Sequence, residues 1–304
     1  MLNKKYTRLW SASAPTWLKA FLLCLGLAWF VSPVLAAQPV VETAAVLKPV
    51  SPLVQVADGR LLAPSIARIV NRGELVVAMH GVDQPPFFYV KDNELVGLDV
   101  SLAKSIANEL KVKVRFDRRA QSFNEVIDLV ARQEADIAIS KMSRTLARAQ
   151  MISFTEPYLR LNHAFVLNRI KFANLARNQP LPVVIREFTG SIGVIANSSF
   201  SDFARKNFPR SEIREFPRWN DVIVALYKGE ILAAYRDEFE AKRILKNDPT
   251  ASLTLRTVTF KDLEDTLSIA VGIQDTTLLA FINQFLAGGN SMLTIDQVLQ
   301  APDH

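Results

Sequence analysis

Asp136-Ile-Ala-Ile-Ser-Lys-Met-Ser-Arg-Thr-Leu-Ala-Arg148, followed closely by Ile152-Ser-Phe-Thr-Glu-Pro-Tyr158, is the stretch whose reading decides the fold. An apolar strand enters a serine-rich turn, a short helical segment carries an arginine, and an aromatic-proline sequence leads out. Hydroxyls and free backbone N–H groups at such a turn, with a guanidinium one helical turn further on, make a receptor for a carboxylate. Taken alone, Arg148 suits the surface of a plain strand–turn–helix better, so the segments on either side have to decide.

Upstream and downstream of this stretch the sequence alternates between strand and helix patterns. Glu74-Leu-Val-Val-Ala-Met79 reads as a strand, and Phe87 to Gly97 as a hairpin around Lys91-Asp-Asn93. Leu98 to Leu110 reads as a helix with Leu102, Ile106 and Leu110 on one face, and Val112 to Phe116 as a strand. Ser122-Phe-Asn-Glu125 is a capping box that opens a helix to about Arg132. The pattern then repeats: strand Ile192 to Ala196, a helix from about Ser198, and strand Glu212 to Phe216. A helix from Trp219 to Lys228 ended by Gly229, strand Ile231 to Tyr235 and a helix from Asp237 follow. Two such sets in tandem predict an α/β protein of two lobes with mostly parallel pairing.

The N-terminus reads as a targeting segment. Lys4, Lys5, Arg8 and Lys19 precede the apolar run Ala20 to Val31, and Ser32-Pro-Val-Leu-Ala-Ala37 supplies a small-residue cleavage site near Ala36. That run falls short of the roughly 20 residues a spanning helix needs, although reading on to Ala37 leaves an uncleaved anchor open. Residues 1–36 are therefore expected to be a signal peptide, and the periplasm the destination. Without them 32 Lys and Arg face 30 Asp and Glu, a net charge of +2 in place of +6. The basic pI thus belongs largely to the export segment, and no nucleic-acid partner is expected. The one cysteine, Cys24, lies in the same segment, so the mature chain has no thiol for disulfides, metal ligation or catalysis. Residues 37–65, with Pro39, Pro49, Pro52 and Pro64, read as an extended tether without a packed core.

Four segments in order resemble the bacterial extracellular solute-binding proteins of the polar amino-acid class. They are Leu75 to Ala78 through Pro85-Pro-Phe87, Leu95-Val-Gly-Leu-Asp-Val-Ser-Leu-Ala103, the Arg148 stretch, and the pair Gly193 to Ser199 and Gly229 to Asp237. The resemblance covers residues 66–300. It implies a two-lobed periplasmic-binding-protein-like fold, with residues 66–160 plus 266–304 in one lobe and 161–265 in the other. The two crossings between lobes would fall at about 158–164 and 262–268. It also implies an amino acid or similar solute held in the cleft and passed to the permease of an ABC-type transporter by a monomeric protein. By position, Arg148 would pair with the ligand carboxylate, helped by Ser143 and the N–H groups of Ser198 and Ser199. Asp237 would receive the α-ammonium, with Ser140 and Lys141 nearby, and Phe123 would pack on the ligand side chain. Asp237 and Ser198 also suit helix N-caps, and Phe123 suits a core position.

Some positions depart from the family. His80 stands where members for cationic side chains carry an acid, Asp83 and Gln84 replace a stacking aromatic, Lys141 occupies a Gly or Ser position, and Asn197 replaces a glycine. These changes favour a neutral polar or acidic amino acid over a basic one, with His80 a candidate ligand contact. No cofactor and no metal are expected, since the sequence has no glycine-rich phosphate loop, zinc histidine pattern or G-x-S-x-G. Ser101-Leu-Ala-Lys104 matches an S-x-x-K motif but lies in an ordinary helix pattern without a later K-T-G. Because the chain ends at His304, the transglycosylase and kinase domains that some relatives append are not expected. Two alternatives stay open: a dehydratase-like enzyme using the same cleft, and a divergent receptor that signals to a partner.

Overall fold

The computed structural model describes residues 53–288 and Val298. The expected signal peptide, residues 37–52 of the expected tether and most of the segment after 288 lie outside the described residues. Residues 53–65, read as tether, instead carry a two-stranded antiparallel hairpin, Val54–Gln55 with Leu61–Leu62, and the start of the helix Pro64–Arg72. That helix buries Ile66 and Ile69 against the first lobe. Pro64 suits its opening turn because the N–H that proline lacks is unpaired there anyway.

Glu74–His80 is the organising strand of the first lobe. Leu75 to Met79 are all buried, as a run of apolar residues must be when both faces of a sheet are covered. Its sheet runs, in order, Lys113–Ala120, Glu74–His80, Ile137–Ala138, Ala270–Gly272 and Ile152–Phe154. The helix Leu98–Glu109 buries Val100, Ala103 and Ile106 in one core, and Phe123–Ala131 buries Val126, Ile127 and Val130 in a second.

The second lobe has its own five-stranded sheet in the order Ile213–Phe216, Ile192–Ile195, Ala233–Asp237, Leu159–Asn168 and Leu255–Leu267. A cluster around Phe165, Phe208 and Tyr235 fills one side of it. The two long strands Leu159–Asn168 and Leu255–Leu267 join the lobes. They pair antiparallel from Leu159 opposite Leu267 to Leu255 opposite Asn168, with a register shift between Thr259 and Glu264.

These crossings correct the expectation of mostly parallel pairing. Among the described residues the two sheets contain four parallel and four antiparallel strand pairings. The parallel pairs are the βα repeats. The antiparallel ones arise wherever the chain enters or leaves a lobe, since each connecting strand runs against the strands it joins, and Ala270–Gly272 does the same on its return.

Locally the turn chemistry follows the residues. Tyr89–Lys91 and Glu94–Val96 form the hairpin, with Asp92 and Asn93 at φ of 50° and 62° in the left-handed region that Asp and Asn tolerate. Ser122 Oγ accepts from the Glu125 N–H at 3.2 Å, while the Glu125 carboxylate accepts from the Gln121 N–H at 2.7 Å, one residue before the position a capping box uses.

Candidate functional site

The turn after Ile137–Ala138 is held by Asp99. This carboxyl, fully buried at the first turn of Leu98–Glu109, accepts from the Lys141 N–H at 2.6 Å and from the Tyr158 hydroxyl at 3.0 Å. It therefore ties together the two parts of the stretch that decided the fold, the turn and the aromatic-proline exit. Burial pushes it up to about 7, against the pull of those two hydrogen bonds.

Arg148 follows in the 3-10 turn Arg148–Gln150 and is 5% exposed. Its guanidinium donates to Ser143 O at 2.9 Å and to Asn124 Oδ1 at 3.0 and 3.2 Å. Every one of these acceptors is neutral, and burial lowers the guanidinium to about 10. A buried cation served only by neutral acceptors is an electrostatic invitation to an anion.

Across the cleft, Ser198 precedes the helix Ser199–Asn207, but its hydroxyl donates backwards to Ile195 O at 2.6 Å and does not cap the helix. The helix's N-terminal end, with its partial positive charge, thus stands uncapped at the cavity that Ser198, Ser199 and Phe200 line. Ser199 Oγ donates to Ser143 Oγ at 2.9 Å, and Ser143 Oγ donates to Asp265 Oδ2 at 3.0 Å. That hydroxyl chain joins both lobes and one connecting strand. The other carboxyl oxygen, Asp265 Oδ1, is buried without a partner. Burial, reinforced by the nearby Asp237 charge, pushes this group up to about 7.

Asp237 ends its strand and caps the next helix: the Glu240 N–H donates to Asp237 Oδ1 at 3.2 Å. Its Oδ2 lies 3.0 Å from Lys141 Nζ and 3.3 Å from Arg236 Nε. Lys141 Nζ also lies 3.0 Å from Glu240 Oε1 and over the rings of Phe87 and Phe239, at 4.8 and 5.1 Å. Burial acts to raise Glu240, but Lys141, Arg243 and Arg236 together bring it down to about 2. Arg236 rests among Phe123, Phe200 and Trp219 at 5.6–5.9 Å, with a 3.4 Å contact to Gln84 Oε1.

The structure thus brings Phe123, Lys141, Ser143, Arg148, Ser198, Ser199 and Asp237 to one cavity, together with Phe200, Arg236 and Asp265. It leaves about 20 Å³ for the centres of water-sized molecules, enough for about one water. His80 and Ser140 do not line it. His80 stacks on Phe123 at 4.7 Å, its backbone N–H donates to Ser140 Oγ at 2.9 Å, and burial lowers its imidazole pKa. Phe123 serves the core and the cavity at once.

Of the residues missed in sequence, Arg236 stands beside Asp237 in a segment already singled out, whereas Asp265 lies in a connecting strand with no local signal. Two departures from family glycine-type positions now have a backbone reading: Lys141 and Asn197 adopt φ of 51° and 52°, the left-handed region that glycine enters freely.

The family model for bacterial extracellular solute-binding proteins, family 3, matches residues 75–300. ABC transporter arginine-binding protein 1 of Escherichia coli strain K12 is 24% identical over 206 residues, covering 67% of this chain and 80% of that protein. Among solved structures, the amino acid ABC transporter substrate-binding protein AbpA of Streptococcus pneumoniae, bound to L-arginine, is 26% identical. Its TM-score is 0.61, and the match covers 77% of this chain and 95% of that one. An ancestral amino-acid-binding protein described as a precursor of cyclohexadienyl dehydratase has the same fold, with a TM-score of 0.60 at 22% identity. That match covers 79% of this chain and all of that one.

Proposed function

Because the chain belongs to the bacterial extracellular solute-binding proteins, family 3, we propose that it captures an amino acid or small amino-acid-like solute for an ABC-type permease. The observation that carries this reading is Arg148, a buried guanidinium met only by neutral acceptors at the wall of the cavity between the lobes. A ligand carboxylate completes it, with Ser143 and the N-terminal end of Ser199–Asn207 around its oxygens. Phe123 supplies an apolar wall. Export through residues 1–36, with cleavage near Ala36, places the protein in the periplasm, where it works as a monomer.

The E. coli and pneumococcal relatives are described as binding arginine. Beside Arg148, this chain sets two further cations, Lys141 and Arg236, against the same cavity. A cationic ligand side chain would have to approach them, so a lysine- or arginine-type ligand is disfavoured and a neutral or acidic one fits better. Asp237, the anion to which the family resemblance gives an α-ammonium, is already engaged by both Lys141 and Arg236.

Binding without catalysis is the reading we adopt. A protonated Asp265 beside the cavity would suit acid–base chemistry, and the ancestral neighbour is described as a dehydratase precursor, so the enzyme reading is tested alongside. A thermal-shift screen against the common α-amino acids and small mono- and dicarboxylates is the experiment. At 100 times Kd a ligand should add about 2.7 kcal/mol of stability. A shift with at least one such solute, and no change of that solute on incubation, is expected. No shift with any of them sinks the transport reading and favours a signalling receptor, while product formation favours an enzyme.

A further inference from the structure

Lys141 is a singular residue of the cleft. Its backbone occupies a left-handed conformation and its N–H is fixed by Asp99, so the side chain is launched in one direction, from the first lobe to the second. There Nζ is enclosed, 2% exposed at the side chain, with Asp237 and Glu240 oxygens both at 3.0 Å and two phenyl rings beside it. An ammonium set between two carboxylates and two aromatic faces is the arrangement that a free amino acid's own α-ammonium would need.

Resting on the solute-binding reading above, we propose that Lys141 is a built-in occupant of the ammonium subsite, so that this protein selects small carboxylates that lack an α-ammonium group. Charge balance at the cavity supports the choice. Lys141, Arg148 and Arg236 line it with Asp237, and Asp265 adds a full negative charge only above its raised titration range. The surplus is positive, whereas a zwitterion brings no net charge and an ammonium that must displace Lys141 from two ion pairs. Arg236 also lines the cavity, and its contacts to Asp237 and Gln84, at 3.3 and 3.4 Å, lie at the long end of hydrogen bonding, which leaves its guanidinium donors for a second carboxylate. Asp265 Oδ1, buried and unpartnered, is available as a hydrogen-bond donor in its protonated form to a ligand oxygen.

The test is calorimetry on the whole mature protein, freed of co-purified solute by unfolding and refolding, with matched pairs: succinate against aspartate, and 2-oxoglutarate or glutarate against glutamate. The des-amino member of at least one pair is expected to bind tenfold or more tighter than its amino acid. Lys141→Gly, which suits the left-handed backbone and vacates the subsite, is expected to reverse that order. Tighter binding of the amino acids by the unmodified protein overturns this inference and leaves the transport reading standing. An unchanged order in Lys141→Gly also overturns it. Binding of neither class by either form overturns this inference and the proposed function together. If Lys141→Gly fails to fold, the matched pairs on the unmodified protein decide alone.

Discussion

Asp265 and Asp99 are two carboxyl groups that the fold holds near neutral pH, both pushed up to about 7, chiefly by burial. Since the folded state keeps a proton that the unfolded chain releases at an ordinary carboxyl pKa near 4, the contribution of these two groups to stability is fully present below about pH 4. That contribution is lost as pH rises from about 4 to about 7. Asp265→Asn mimics the protonated form, with an oxygen for Ser143 Oγ and an N–H₂ for the unpaired side. In solute-free protein this variant should be more stable than the parent at pH 7.5 by on the order of a few kcal/mol, read as a higher unfolding temperature. The difference should vanish toward pH 4. A pH-independent difference would place Asp265 among ordinary ionised carboxylates. Its role was not legible in sequence because its meaning comes from three partners distant along the chain, Ser143, Asp237 and Arg148. Arg148 was legible because its strand, turn and exit are contiguous.

At the scale of elements, the junction of the 89–96 hairpin and the helix Leu98–Glu109 sets Asp99 and through it the cleft turn. Gly97 sits there at φ of 126°, and a β-carbon on it would lie 2.3 Å from Phe87 O and 2.7 Å from Pro86 O. Both obstacles are backbone, so neither can rotate aside. Gly97→Ala should destabilise the protein by at least about 2 kcal/mol, combining a clash with a backbone conformation costly for any L side chain. Urea unfolding checks this, and a change below 0.5 kcal/mol, on the scale of ordinary surface substitutions, would contradict the account of the junction. The hairpin was readable from Lys91-Asp-Asn93, and the helix from its apolar spacing. The connecting strands were placed only roughly, since a strand buried by pairing from Leu159 to Asn168 has no marker of direction in its own residues. Helices Arg169–Ala176 and Leu181–Arg186 were missed, because each buries little more than one apolar residue, Phe172 and Val184. The hairpin at 54–62 was hidden by the prolines around it.

The whole molecule is two α/β lobes whose facing surfaces are tied by polar links across the cleft. Ser199 to Ser143, Lys141 to Asp237 and Glu240, and Arg236 to Gln84 all span it, and all converge on the cavity beside Arg148. A ligand that touches both lobes favours the closed arrangement because only there are its contacts complete. Arg148 is the group on which that closure should depend most, as its charge has no carboxylate in contact among the described residues. The most direct measurement is calorimetric titration of the parent protein and of Arg148→Ala with whichever carboxylate gives the largest thermal shift. Removing the partner of a buried carboxylate costs about 3–5 kcal/mol, so affinity should fall by roughly 10²-fold to 10³-fold or more. A loss of less than about fivefold would mean that Arg148 only braces the turn through Ser143 and Asn124, and that the solute is held elsewhere.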